Sequence, residues 1–219
     1  IVFDNIAYKV GDVKKLHHLL KGKIRHYIFT SSVMTYLDLN HLSEVKEKDW
    51  FKIKSTKGML KNYEPREIRY ALNKIKIEKY LLKNKSINST ILRVHNVLGK
   101  NDFSKKTKRL LSYPLFLSDF KKNNISGDDF IQFCFKEDLV KVIIKIFKKR
   151  VLKTSAYNIA NKKIKIKDFY TRLYKIKKKL KIETRYINKK FPLPVNIFMN
   201  CSKVEKTFNM RFSSMDKIL

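Results

Sequence analysis

Residues 66–82 read REIRYALNKIKIEKYLL, the pattern of an amphipathic helix. Ile68, Leu72, Ile75, Lys79 and Leu82 mark one band, widened by Tyr80 and Leu81, at the spacing of a face turned toward a core. The same helix carries Tyr70 and Lys74. Residues four apart lie on one helical face, with Cβ atoms roughly 5–6 Å apart. A phenol beside an ammonium is a chemically useful pair, because a nearby cation favours the phenolate of a group whose reference pKa is about 10. Such a tyrosine can take a proton from a substrate hydroxyl or return one to a carbonyl. Alone the pair carries little weight, since Tyr-x-x-x-Lys arises by chance in a chain this rich in lysine. Its meaning depends on the sequence around it.

Upstream, Ile1-Val2-Phe3 reads as a buried strand, and the chain opens inside it. GDVKKLHHLL, residues 11–20, places Val13, Leu16, Leu19 and Leu20 at helical spacing, with Gly22 as a stop. The adjacent His17 and His18 cannot face one direction on a helix and read as surface residues, not metal ligands. HYIF at 26–29 is a second strand, ending in Thr30-Ser31-Ser32. Strand, helix, strand at this spacing is a parallel βαβ unit, and open α/β sheets bind ligands at the carboxyl ends of their strands. Ser32 stands at such an end, where its hydroxyl can do chemistry or simply cap the loop. Residues 36–65 form a long connection with a short helix near 42–50.

Downstream, TILRV at 90–94 is a third strand, followed by His95-Asn96. Residues 102–113 read as helical before Pro114, and 125–135 carry strand character. A helix over 137–149 turns Leu139, Val142, Ile143, Ile146 and Phe147 inward. Residues 156–160 are a strand, and 167–180 a helix with Phe169, Tyr170, Leu173, Ile176 and Leu180 on one face. Phe191 to Pro194 breaks the chain and 202–208 forms a last helix.

The 219 residues suffice for one sizeable core. At 43% hydrophobic and 12% aromatic the composition is globular and not disordered. No apolar run approaches the ~20 residues of a membrane span, and the opening resembles no signal peptide because Asp4 and Asn5 interrupt it. Cys134 and Cys201 have no metal-type spacing, which makes a reducing cytoplasm the default and leaves no metal site to expect. The formal charge of +32 invites a nucleic-acid partner. Lysine supplies 42 of the 51 basic residues, however, and Ile, Asn, Phe and Tyr are abundant beside only 5 Gly and 4 Pro. An A+T-rich coding sequence produces that joint bias without selection for a partner. Polyanion binding, or contact with an anionic membrane surface, is the lesser reading of the charge.

The order of motifs resembles an extended short-chain dehydrogenase/reductase of the NAD-dependent epimerase/dehydratase group. The resemblance rests on VFDNIAY, HYIFTSSVMTY, Tyr70-Ala-Leu-Asn-Lys74 with Glu78, TILRVHNVLGKND, IQFCFKEDLVKVI, SAYNIANKKIKIKDFY and CSKVEKTFNMRF, in that order along essentially the whole chain. It implies an α/β fold, part of a Rossmann-type doubly wound parallel sheet with a small α+β substrate region. Residues 1–100 would be the C-terminal half of the dinucleotide-binding domain, and 101–219 a mixed substrate-binding region that includes late sheet strands. Tyr70 would be the general acid/base. Lys74 would bond the nicotinamide ribose and lower the phenol's pKa, and Ser32 would steady the substrate oxygen. The cofactor, NAD or NADP, would meet Ala7, Ser31, Lys74 and Val94. The substrate, a sugar, nucleotide-sugar or related hydroxy/keto compound, would meet Ser32, His95 and Asn96. A homodimer is the implied assembly.

The departures from the family pattern are as informative. No Gly-x-x-Gly-x-x-Gly loop occurs among Gly11, Gly22, Gly58, Gly99 and Gly127, and the residue that would choose between NAD and NADP is missing with it. A fragment lacking its first strands is the simplest account, with poor NAD(P) binding and aggregation through an unpaired first strand as its consequences. Val33 and Met34 replace the acidic pair of the 4,6-dehydratases. Ile131 stands where nucleotide-sugar enzymes often place an arginine. IQFCFKEDL resembles the subgroup of the chloroplast stem-loop-binding proteins, some of which bind RNA. The expected function is therefore an NAD(P)-dependent epimerase or oxidoreductase, with an RNA-binding relative or a non-functional fragment as the alternatives.

Overall fold

The computed structural model describes residues 1–39, 43–52, 63–99, 130–149, 153–166, 168–169, 171–172, 175 and 197–214. In chain order the elements are β1 (Val2–Asp4), α1 (Val10–Leu20), β2 (Tyr27–Ser32), two 3₁₀ helices (Val33–Leu39 and Glu47–Lys52), α2 (Pro65–Lys83), β3 (Ser89–Val94) and β4 (Val97–Leu98). They continue as β5 (Phe130–Ile131), β6 (Cys134–Phe135), α3 (Lys136–Lys148), β7 (Ser155–Ile159), β8 (Ile164–Lys165) and α4 (Ser202–Phe208). The main sheet is parallel throughout, in the order β1-β2-β3-β7. β4 pairs in parallel with β6, and β5 antiparallel with β8.

Both faces of the sheet are covered, and strand alternation decides which residues go where. Tyr27, Phe29 and Ile91 pack with Val13 of α1 and with Ile77 and Leu81 of α2. Ile28, Leu92, Val94, Tyr157 and Ile159 point the other way, onto Val142 and Ile146 of α3 and Val204 and Phe208 of α4. Each large apolar side chain so buried contributes about 1.5–3 kcal/mol, which explains why the strands read as near-continuous apolar runs. The α/β parallel-sheet expectation is met. A third cluster joins Val33, Tyr36 and Leu37 to Ile68, Ala71 and Ile75 of α2, and to Ile197 and Met199.

Several local expectations are corrected. In α1 Val13 and His17 are fully inside and Leu16 and Leu20 pack partly against the same cluster as expected, while Leu19 is 64% exposed. His17 is buried, not on the surface as expected, because it follows Val13 by four residues and so shares its face. Its ring sits edge-on to Tyr27 at 4.5 Å and its Nδ1 is 3.1 Å from Asn84 Nδ2. Phe147 of α3 is 46% exposed, and only Val142 and Ile146 of the expected band are fully inside, with Leu139 and Ile143 partly so. The connection after β2 begins with a 3₁₀ helix at Val33–Leu39 that the sequence did not announce, and the expected helix near 42–50 is the second 3₁₀ turn, Glu47–Lys52. Strand character over 125–135 resolves into β5 and β6, residues 125–129 lying outside the described residues. Phe169 packs inward against Phe133 as expected, with ring centroids 5.0 Å apart. The helix expected over 102–113, the turn at Pro114, the break at 191–194, and Tyr170, Leu173, Ile176 and Leu180 lie outside the described residues.

Candidate active site

α2 starts sharply because its first turn is capped twice. Pro65 occupies the first helical position, and Glu64 and Glu67 form a reciprocal capping box, with Glu64 N–H donating to Glu67 Oε2 at 3.1 Å. The helix then runs to Lys83, with the Asn84 N–H closing on the Tyr80 carbonyl at 2.9 Å. Its buried set is Ile68, Ala71, Lys74, Ile75, Ile77, Glu78 and Leu81, whereas Lys79, placed in the apolar band by sequence spacing, is exposed.

Tyr70, Lys74 and Glu78 follow one another at intervals of four and form a row along α2. That row meets three successive residues of β2. The Tyr70 phenol faces the Ser32 hydroxyl, whose proximity favours the phenolate. The Lys74 ammonium donates to the Thr30 carbonyl at 2.8 Å and to the Ala7 carbonyl at 3.0 Å. The Ser31 hydroxyl donates to Glu78 Oε1 at 2.5 Å. Ser32 ends its strand in a turn that it stabilises itself, its Oγ accepting from Met34 N–H at 3.2 Å and its carbonyl accepting from Thr35 Oγ1 at 3.0 Å.

Asp4, which in the sequence only interrupts the opening apolar stretch, shapes the other wall. Its Oδ1 accepts from the Ile6 and Ala7 N–H groups at 2.9 and 2.8 Å, and its Oδ2 from the Tyr27 hydroxyl. The bend that results presents the Ala7 carbonyl to Lys74. Tyr8, next in the loop, lies with its ring 6.0 Å from that of Tyr70.

The electrostatics differ from the expectation in one respect. Burial holds Lys74 down at about 8, against the opposing pull of Asp4 and Glu78. Burial also pushes the Tyr70 phenol above its ordinary value, Tyr8 adds to the rise, and the Ser32 hydroxyl only partly offsets it. Lys74 was expected to lower the phenol. It instead spends two protons on backbone carbonyls, with its nitrogen 5.6 Å from the Tyr70 ring centroid.

Of the other candidate residues, Ala7 is half-buried in the loop wall and Asn96 is half-buried after β3. Val94 is the register partner of Ser32, yet its side chain packs in the α3–α4 cluster on the opposite face. Ser31 is 2% exposed with its hydroxyl committed to Glu78. His95 is equally enclosed. Its Nε2 bonds the Ile197 carbonyl at 3.2 Å, its Nδ1 accepts from Asn96 N–H at 2.8 Å, and burial holds its pKa down at about 4. The hydroxyl of Ser31 and the ring of His95 are therefore parts of the scaffold. Among the described residues no His/Cys/Asp/Glu group could hold a metal ion, and no helix is long and apolar enough to cross a membrane.

Beneath the site lies a buried ionic layer. Arg93, 1% exposed, donates from Nε and Nη2 to Glu78 Oε2 at 2.9 and 2.7 Å, and from Nη1 to the Tyr36 hydroxyl at 2.7 Å. Tyr36 passes the chain to Asn158 Oδ1 at 2.7 Å, and the Arg93 guanidinium lies 5.1 and 5.0 Å from the ring centroids of Tyr36 and Trp50.

By its backbone the chain is similar to WbmG of Bordetella bronchiseptica, solved in complex with NAD and UDP, at 13% identity and a TM-score of 0.61, over 94% of this chain and 60% of that one. It is similar to RMD of Pseudomonas aeruginosa complexed with NADPH (13% identity, TM-score 0.58, 96% and 68%). It is also similar to UDP-glucuronic acid 4-epimerase of Bacillus cereus in complex with NAD (19%, TM-score 0.59, 92% and 61%). The chain thus spans less than two thirds of the WbmG and epimerase chains. No family model and no curated protein matches its sequence. At these identities the likeness is one of architecture. The chain has the Rossmann-type parallel-sheet fold of these structures.

Proposed function

We propose that the chain carries the acid/base half of an NAD(P)-dependent enzyme of the extended short-chain dehydrogenase/reductase type, acting on a sugar, nucleotide-sugar or related hydroxy/keto substrate. One observation carries the reading: a phenol facing a serine hydroxyl, with a buried ammonium one helical turn along, all at the carboxyl ends of adjacent parallel strands. The solved structures of this fold hold NAD, NADPH and UDP-linked ligands, which fits that assignment.

Two groups at the strand end suit the ribose and nicotinamide side of such a cofactor. Lys74 has a third ammonium proton beyond the two held by carbonyls. The Thr30 hydroxyl is buried with no partner among the described residues, an arrangement that costs free energy unless a ligand completes it. The bound dinucleotide would supply a hydride acceptor and donor. The residues of this chain would do the rest. Ser32 donates to the substrate oxygen, Tyr70 exchanges the hydroxyl proton, and Lys74 holds the Ala7 loop against β2 while adding positive charge beneath the phenol. Because burial raises the phenol's pKa, Tyr70 rests in the protonated state suited to a donor, and acting as a base requires added positive charge nearby. Among the described residues there is no phosphate cradle, and none of the steps above uses one.

Turnover of full-length protein tests the assignment. Tyr70→Phe, which keeps the ring and removes the acid, abolishes hydride transfer while leaving thermal unfolding unchanged. Undiminished activity in that variant would refute the role given to Tyr70.

A further inference from the structure

We infer that Glu78, held by Arg93 and acting through Ser31, is a positioning residue for the Tyr70–Ser32 pair. The inference rests on the reading of Tyr70 and Ser32 as the acid/base pair.

A helix lying on a sheet is free to roll and slide unless side chains pin it. Apolar contacts such as those of Ile77 and Leu81 resist separation, but they are non-directional and resist rolling poorly. Among the described residues, the hydrogen bonds from this face of α2 to the end of β2 are the two rungs Lys74–Thr30 and Glu78–Ser31, and the Tyr70 phenol faces the Ser32 hydroxyl in line with them. Lys74 is a flexible four-carbon stem ending in a rotatable ammonium and fixes direction loosely. Glu78 differs. It is wholly buried, and one carboxylate oxygen takes both parallel N–H groups of Arg93 while the other takes Ser31. Arg93 is itself fixed on β3, opposite Ser31 in the ladder, so the pair ties α2 to both central strands at once. Ser31 is the residue before Ser32, and backbone movement at one carries the other with it. A carboxylate has no need to be charged and buried at this depth to fill space. Its directional bonds set the roll of α2, and with it the approach of the phenol to the Ser32 hydroxyl.

Removing Glu78 or Arg93 would risk the fold, so the decisive variant is Ser31→Ala, which deletes a single rung. The readout is the ¹³Cζ resonance of Tyr70 at neutral pH in tyrosine-labelled protein, assigned by its loss in Tyr70→Phe; it reports hydrogen bonding at the phenol and needs no turnover. Ser32→Ala sets the displacement for a broken pair. Ser31→Ala is expected to move the resonance in the same direction, and the double variant no further than Ser32→Ala alone, the non-additivity of groups acting through one contact. A Ser31→Ala resonance at the wild-type position, or displaced the opposite way, overturns the inference. So does a double variant in which the two displacements add. Loss of the positioning effect leaves the turnover test of Tyr70 untouched, so the two failures are distinguishable.

Discussion

The Lys74 ammonium donates to the Thr30 carbonyl at 2.8 Å and, with a second proton, to the Ala7 carbonyl at 3.0 Å, bridging the carboxyl ends of β1 and β2. The contact makes the cation proposed to serve the site a buried structural tie as well. Its pKa near 8, against an ordinary 10.5, shows that burial disfavours the charge more than the two carbonyls and the carboxylates of Asp4 and Glu78 favour it.

A pH dependence follows from that balance. Below about 8 the lysine is protonated in both folded and unfolded chains. Between about 8 and 10.5 the unfolded chain holds the proton and the folded chain does not, so this group makes stability rise with pH across that window. Denaturant unfolding of wild type and Lys74→Met should therefore diverge from pH 8 to 10, wild type gaining on the order of 1–3 kcal/mol relative to the variant. A constant difference across the window would place the lysine in water.

The ion pair beneath the site makes a sharper prediction about stability. Arg93 and Glu78 are 1% and 0% exposed, so removing one partner leaves a desolvated, uncompensated charge. Arg93→Met should cost about 3–5 kcal/mol in urea unfolding. The double variant Glu78→Gln/Arg93→Met, which removes both charges, should recover part of that loss despite carrying one more substitution. If the double is as unstable as the sum of the singles, Glu78 is not the group stranded by the loss of Arg93.

What could be read from the chain and what could not divide along physical lines. Apolar runs such as YIF and TILRV announce strands covered on both faces, and the Tyr70–Lys74 interval places both side chains on one helix face without any tertiary knowledge. Charge inside the core is where pattern reading fails. Hydropathy assigns Lys74, Glu78, Arg93 and His17 to water, but each is buried because a specific partner from a distant segment meets it: Thr30, Ser31, Glu78 and Asn84 respectively. Spacing likewise placed Lys79 on the band that Glu78 occupies, one residue away and about 100° around the helix. Glu78 was visible in the motif, four residues past Lys74. Its partner on β3, 15 residues farther along, was not legible. The family resemblance implies ligand contacts for Ser31 and His95, yet alternation along a strand and the path of the next turn send their side chains into packing. Asp4 carries no signal beyond a carboxylate near a strand end, and only its two backbone contacts reveal that it shapes the Ala7 loop.

His95 supplies an acid-side counterpart. Its Nδ1 accepts from Asn96 N–H, so the ring in its neutral form carries its proton on Nε2, facing the Ile197 carbonyl. Protonating Nδ1 would break the first bond, and burial already holds the pKa at about 4 against an ordinary 6.5. The unfolded chain takes up the proton first as pH falls, so stability is lost progressively from about 6.5 toward 4, by roughly 3 kcal/mol for this group. His17 and His26 are shifted in the same direction and persist in a His95→Gln variant, so the difference between wild type and variant isolates His95. The gap between their midpoints should narrow as pH is lowered from 7 to 4.5. A gap independent of pH would mean that His95 titrates normally.

Asp138 closes the fold at the other end of the sheet. Burial raises its pKa, but Lys141, Asn161 and Ser213 together reverse that and leave the carboxylate below its ordinary range. Its Oδ2 accepts from Asn161 Nδ2 at 2.6 Å and from Ser213 N–H at 2.8 Å, and its Oδ1 from Ser213 Oγ at 2.9 Å. Asn161 in turn receives the Phe135 N–H at 2.8 Å, so one carboxylate ties the start of α3, the turn after β7 and the segment beyond α4. Asp138→Asn keeps the shape but offers one acceptor oxygen in place of two and presents an amide donor where donors already converge. The substitution should cost about 2–3 kcal/mol, the range for a hydrogen-bonded charge lost from the interior. The loss should be local before it is global, because Ser213 has few other anchors. Hydrogen exchange at the Ser213 and Phe212 amides should accelerate well beyond exchange in β2 and β3. Uniform acceleration across all strands would show instead that the carboxylate stabilises the sheet as a whole.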